Sequence, residues 1–313
     1  MSTKVATREA YGKALVKLGE KNEKVVVLDA DLSKSTKTAD FKKVYPKRFI
    51  NMGIAEANMM AVAAGMSTCD KIPFVSTFAM FAAGRAFEQV RNSICYPNLN
   101  VKICATHAGL TVGEDGASHQ SIEDISLMRS IPNMTVICPS DAVETEAVIK
   151  AVAEYNGPCY VRLGRAAVSI INDTPEYKFE IGKAITLREG KEATIFATGI
   201  MVDAALEAYN TLSEEGIKVK VINIHTIKPI DKESIVKAAR ETGAVVTVEE
   251  HSIIGGLGSA VCEVLSENMP TPVIRIGVKD TFGESGKPAE LLKAYGLTAD
   301  DIVKAVKKAL TLK

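Results

Sequence analysis

Residues His107 to Asp124 read HAGLTVGEDGASHQSIED. A strand-like run, Val101 to Ala105, precedes them and an apolar helical run follows. They therefore form a loop at the carboxyl end of a strand, where open α/β sheets place ligand chemistry. Within its first thirteen positions, 107–119, fall two of the chain's four histidines (His107, His119), two acids (Glu114, Asp115) and three glycines (Gly109, Gly113, Gly116). Glycine lets backbone bend or approach a ligand closely. The simpler alternative is a turn with helix caps, Ser118 or Ser121 serving with Glu123 or Asp124. The flanking sequence has to decide between them.

Upstream, Thr7 to Leu18 carries apolar or small residues at helical intervals (Ala10, Ala14, Leu15, Leu18), and Val25 to Leu28 is a continuous apolar strand of the kind buried on both faces. A polar loop, Asp29 to Ser35, follows it. Phe49 to Gly53 is a short second run leading into Glu56 to Met66, a helix so rich in alanine and methionine that it must pack closely on most sides. Glu56 is its only acid. The helix dipole alone accounts for an acid at that end; a catalytic carboxylate tuned by burial is the competing reading. After the strand Pro73 to Ser76, Phe78 and Phe81 lie three apart on a helix running through Cys95, either as core or as a stacking platform.

Downstream the alternation continues with strand Met134 to Cys138, helix Ala142 to Glu154 and strand Tyr160 to Leu163, which ends in Gly164-Arg165. An arginine at that sheet edge suits an anionic substrate group. Polar and turn-forming residues over 170–190 break the pattern. A second alternation follows: strands Ala193 to Ala197, Val219 to Ile224, Ala244 to Val248 and Pro272 to Ile276, with helices Val202 to Glu215, Lys232 to Thr242 and Leu257 to Asn268 between them. Repeated βα units imply parallel sheets covered by helices. The fold class is thus two tandem α/β domains with mostly parallel sheets, over residues 1–172 and 191–313, joined by a linker at 173–190. Gly255 to Ala260 fits neither a dinucleotide fingerprint nor a P-loop and reads as a tight strand-to-helix turn.

Composition narrows the function. The 313 residues suit about two domains. Lysine plus arginine equals aspartate plus glutamate at 38 each, so no basic field exists to attract nucleic acid or an acidic membrane. The start, MSTKVATREAYGKAL, lacks a signal peptide's apolar core, and no run approaches the ~18 apolar residues of a membrane span. A soluble cytoplasmic protein is expected. Six cysteines without CxxC spacing read as free thiols in a reducing compartment.

With Glu56, the Phe78/Phe81 pair and the 107–124 loop together, the chain resembles transketolase, a thiamine-diphosphate enzyme. GIAEANM resembles the segment with the family glutamate, STFAMFAAGRAFEQVR the aromatic segment, and VGEDGASHQSIEDISLMRSIPNMTVICPSD the substrate loop and following strand. The resemblance spans essentially the whole chain but only the latter part of a full transketolase, the pyrimidine-binding domain and the carboxy-terminal domain. The 1-deoxyxylulose-5-phosphate synthases share much of the loop. The 2-oxo acid dehydrogenase E1 β subunits match in length but differ at GEDGASHQ. A non-catalytic partner that kept the fold is a third alternative, disfavoured by Glu56, Asp115 and His119 standing together.

The resemblance implies transfer of a two-carbon ketol unit from a ketose phosphate to an aldose phosphate, in carbohydrate metabolism of the pentose phosphate type. Glu56 would share a proton with ring nitrogen N1′ of the cofactor's aminopyrimidine. Phe78 would stack on that ring with Phe81 beside it, and Asp31 would lie near the cofactor and donor channel. Asp115 would bind the donor's C2 hydroxyl and His119 its carbonyl or C1 hydroxyl region, both in catalytic roles. Arg8, Ser35, His107 and Arg165 would hold the sugar phosphate. Val75 and Ala108-Gly109 depart from the family pattern. The GDG motif with a downstream asparagine, which holds the diphosphate through Mg²⁺, is absent, since in Gly113-Glu114-Asp115-Gly116 a glutamate intervenes. The expected partner is an N-terminal transketolase subunit that shares the thiamine diphosphate and binds Mg²⁺ or Ca²⁺, in a heterotetramer of two of each, with no metal on this chain.

Overall fold

The computed structural model describes residues 4–313. Its first half carries strands β1 (Lys4–Ala6), β2 (Val25–Asp29), β3 (Phe49–Asn51), β4 (Ile72–Ser76), β5 (Lys102–Ala105), β6 (Thr135–Ile137), β7 (Cys159–Arg162) and β8 (Ala167–Ser169). The second half carries β9 (Ile185–Arg188), β10 (Ala193–Ala197), β11 (Val219–Asn223), β12 (Thr226–Lys228), β13 (Val245–Ser252) and β14 (Val273–Val278). A seven-stranded sheet has the order β12-β6-β7-β5-β4-β2-β3, and a five-stranded sheet the order β14-β13-β10-β11-β9. Both are parallel except at one edge, where β12 runs antiparallel to β6 and β9 antiparallel to β11. All residues of β2, β10 and β11 are buried, as strands covered by helices on both faces require.

The parallel arrangement of β2, β4, β5 and β7 fixes where chemistry can gather, because their carboxyl ends share one sheet edge. The loops carrying Asp31, Phe78, His107 and Arg165 leave from those four ends in turn. The chain's start joins them through a small antiparallel ladder in which Val5 faces Val168. Thr7 Oγ1 then accepts the amide of Gly164 at 2.8 Å, which sets Arg8 beside Arg165.

Two features differ from the sequence reading. The segment read as a linker at 173–190 contains β9, whose residues alternate between half-buried and exposed. An edge strand of that kind has no continuous apolar run to announce it. Its neighbour Tyr177 also donates 2.9 Å to the buried carboxylate of Glu144, to which Asn223 of the second half donates at 2.9 Å. In addition, β12 crosses from the second half into the larger sheet, and one hydrophobic cluster runs from Leu28, Met59 and Ile103 through Phe196 and Ile222 to Leu257. Among the described residues, no helix is long and apolar enough to cross a membrane.

Candidate active site

Glu56 opens the helix Glu56–Thr68 and is 1% exposed. Its carboxylate does not rest on the helix end alone. Arg85 Nη1 donates to Oε2 at 2.9 Å, and Thr77 Oγ1 lies 3.5 Å from Oε1. The partner residues come from the segment after β4, which does not continue as a regular α-helix. It forms two π-helical stretches, Phe81–Arg85 and Val90–Cys95, around a short α-turn at Phe87–Gln89. Such turns are rare and gather at functional sites. Here the first of them folds the Arg85 guanidinium back over the Phe81 ring, 4.4 Å from its centroid, while reaching Glu56.

The aromatic pair links this carboxylate to the histidine loop. Phe78 and Phe81 stack with centroids 5.9 Å apart and planes 15° apart. His107 stacks on Phe78 at 3.9 Å, and His119 stands edge-on to Phe78 and Phe81 at 6.2 and 5.5 Å. Phe78 is buried, whereas Phe81 remains partly open. A bridge between Phe78 and Thr106 brings the two segments into this register, with the Ala79 amide donating 2.7 Å to the Thr106 carbonyl.

His107 adopts φ 57°, a left-handed conformation uncommon for a residue with a side chain. Burial first, then the positive charges of Arg8 and Arg165 and the neighbouring His119, push its imidazole down to about 3, so it is neutral at pH 7. Burial also lowers Arg8, Glu9 opposes this, and Arg165 lowers it further. Three basic side chains from the first helix, the loop and the end of β7 thus converge. Arg8 donates from Nη1 to the Ser35 carbonyl at 2.7 Å, yet its Nε is buried without an acceptor. Arg165 donates from Nη1 to the Val112 carbonyl and to Glu114 Oε2 at 3.0 Å. A concentrated positive pole with a spare buried donor is the arrangement an anion completes.

The other expected residues are more open to solvent than Glu56 and His107. Asp31 is exposed at φ 65° and accepts from Asn51 Nδ2 at 2.8 Å. Its loop is pinned by buried Asp29, which accepts from the Leu32 amide and from the hydroxyls of Thr36 and Thr38. Ser35 is half-buried and Asp115 is exposed. The helix Asp124–Ser130 has no side-chain cap, so the capping account of the loop does not hold. Asp124 instead turns inward to Arg162 Nε and the Tyr160 hydroxyl, both at 2.8 Å.

Sequence reasoning missed Arg85, the Asp124–Arg162 pair and two second-domain contacts to the loop, the Glu250 carboxylate on the Thr111 amide and the Glu284 carbonyl on Gln120 Nε2. Arg85 had a signal, since it lies four positions after Phe81. The others are brought together only by tertiary folding.

A buried carboxylate beside a partly open aromatic ring fits a flat heterocycle with a protonatable ring nitrogen. It could hold the pyrimidine end of thiamine diphosphate. Among the described residues, no group of three or more His, Cys, Asp or Glu side chains is disposed to hold a metal ion.

Comparison with known proteins shows the family. A family model described as "Transketolase, pyrimidine binding domain" matches residues 3–169, and one described as "Transketolase, C-terminal domain" matches residues 182–302. A solved structure entitled "Split gene transketolase, inactive beta4 tetramer" superposes with a TM-score of 0.93 at 63% identity, covering 99% of each chain. A Methanocaldococcus jannaschii protein described as a transketolase C-terminal section is 54% identical over 96% of this chain and 94% of its own length. The 6-deoxy-6-sulfo-D-fructose transketolase subunit of Clostridium sp. strain MSTE9 is 46% identical over 95% of this chain and 92% of its own. With both domain models matched in order and relatives of the same length, the chain belongs to the transketolase family and comprises its pyrimidine-binding and carboxy-terminal domains.

Proposed function

We propose that this chain is the pyrimidine-binding subunit of a heteromeric transketolase, which moves a two-carbon ketol unit from a ketose phosphate to an aldose phosphate. The observation that carries the reading is one continuous run of contacts, from buried Glu56 through Arg85, Phe81 and Phe78 to His107 and His119. It passes from a proton-exchanging carboxylate, along an aromatic wall, to a neutral imidazole that adjoins the guanidiniums of Arg8 and Arg165. When bound, thiamine diphosphate supplies the carbon that carries the transferred unit. Glu56 exchanges a proton with the aminopyrimidine ring nitrogen, in acid/base work kept off solvent by burial. Phe78 and Phe81 orient the ring. His119 and Asp115 address the donor's hydroxyl and carbonyl oxygens, Asp31 lines the channel, and Arg8, Ser35, His107 and Arg165 anchor the anionic end of the sugar.

The partner in this reading is a diphosphate-binding transketolase subunit that holds the Mg²⁺ or Ca²⁺, assembled as two copies of each chain. The similar protein with "inactive beta4 tetramer" in its title supports a division of labour in which one half does not suffice. A sulfonated sugar in a relative's name supports a shared anion pole while leaving the sugar series to differ between members. Titrating thiamine diphosphate into this chain and into its mixture with such a subunit tests the proposal. Tight binding is expected only in the mixture, and equally tight binding by the single chain overturns the division of the site.

A further inference from the structure

The loop that carries His107 and His119 is held from the second domain as well as from the first. Two adjacent acids on β13 point to opposite sides. Glu249 accepts the amides of Leu257 and Gly258 at 2.7 Å and so anchors the helix Leu257–Asn268. Glu250, 3% exposed, faces the loop, and its Oε1 accepts the Thr111 amide at 2.5 Å. The fit is close. A Cβ added to Gly109, which sits at φ 81°, would come 2.6 Å from Glu250 Oε1, so glycine there makes room for the carboxylate. Arg162 Nη2 bonds both the Glu250 carbonyl at 3.0 Å and the Ser121 carbonyl at 3.2 Å, tying the far end of the loop to the same residue. Gln120 reaches the Glu284 carbonyl, and Ser285 donates to the Glu114 carbonyl at 2.7 Å.

We infer that Glu250 is a positioning residue, the second-domain acceptor that fixes the turn from Ala108 to Val112 and thereby the left-handed His107 and the Val112 carbonyl that Arg165 grips. This gives the carboxy-terminal domain a part in substrate affinity with no contact to substrate. The inference rests on the proposed role of the loop in holding the sugar's anionic end.

The test uses the assembled pair, with amide exchange of residues 108–113 and steady-state kinetics on ribose 5-phosphate as readouts. In Glu250→Ala, the exchange should quicken about ten-fold and KM rise about ten-fold with kcat held within about two-fold, as expected when a buried amide that positions binding loses its acceptor. Glu250→Gln, which keeps an acceptor of the same size, should restore both readouts to within about three-fold. If Glu250→Ala does not fold, Glu250→Leu fills the volume without an acceptor and carries the same expectations. Unchanged exchange and KM in the acceptor-free variant overturn the inference, as does a Gln variant no better than it. Amide exchange is read without turnover. A pair with altered loop exchange but no ketol transfer therefore removes the proposed function and keeps the clamp, while normal transfer with unaltered exchange removes the clamp alone.

Discussion

Glu56 is separated from a plain helix-end acid by what surrounds it. It is buried, it bonds a guanidinium that also lies on Phe81, and its aromatic neighbours lead to two histidines. Glu56→Gln keeps the shape and loses the exchangeable proton, so the assembled pair should lose roughly 10²-fold or more in turnover. Its thermal midpoint should stay near that of the parent. Hydrogen exchange at the cofactor's thiazolium C2 is the direct readout, and a parental exchange rate would return Glu56 to a structural role. At the opposite end of the site, Arg8→Ala and Arg165→Ala each remove a donor from the positive pole. A charge-assisted hydrogen bond contributes roughly 1.5–3 kcal/mol, which is about ten- to a hundred-fold in affinity. Each variant should therefore weaken ribose 5-phosphate by that factor and an unphosphorylated aldose far less. Equal losses on both acceptors would take the phosphate role away from these arginines.

At the scale of elements, legibility followed burial. Parallel strands covered on both faces announce themselves as apolar runs, so β2, β10 and β11 and the alternation around them could be read directly. The segment 107–124 reads as a loop after a strand, and in the structure it follows β5 with one 3-10 turn at Leu110–Val112. What escaped notice has no local signature. β9 is an edge strand half open to solvent, and β12 is a three-residue strand that joins the other domain's sheet. The π-helical turns after Phe78 share the composition of an α-helix. Asp124 illustrates the loss most clearly, since its place at a helix start suggests a cap while its carboxylate is buried against Arg162 and Tyr160. Asp124→Ala would leave the Arg162 charge unpaired in the interior. Removing one partner of a buried pair costs about 3–5 kcal/mol, to be measured as a shift of the denaturation midpoint in urea; a cost under about 1 kcal/mol, as for an exposed pair, would contradict the structural role.

Across the whole molecule, buried titrating groups pull stability in opposite directions. Burial pushes His225 and His251 down to about 4, against the opposing charges of Asp231 and Asp124. Between pH ~6.5 and ~4 the unfolded chain therefore binds protons that the folded one refuses, so stability falls as the pH drops through that window. Burial pushes Glu249 and Glu250 up to about 7, so the folded chain keeps protons there that the unfolded one has released, and their effect is a loss of stability as the pH rises toward 7. His225 is none of the candidate site residues and has its ring against Phe179, so its substitution reads one of these effects by itself. His225→Gln should lose less stability than the parent between pH 7 and pH 4, by about 3 kcal/mol. Parallel denaturation curves for the two proteins across that range would show that His225 is not buried neutral.

The division of the active site between two chains is the central claim, and ketol transfer from xylulose 5-phosphate to ribose 5-phosphate tests it most directly. The purified chain, supplied with thiamine diphosphate and Mg²⁺, should give no transfer, and adding a diphosphate-binding transketolase subunit should create it, with activity saturating as that subunit is titrated in. Full turnover by the single chain would contradict the divided site, and a pair that decarboxylates pyruvate without transferring a ketol unit would contradict the reaction.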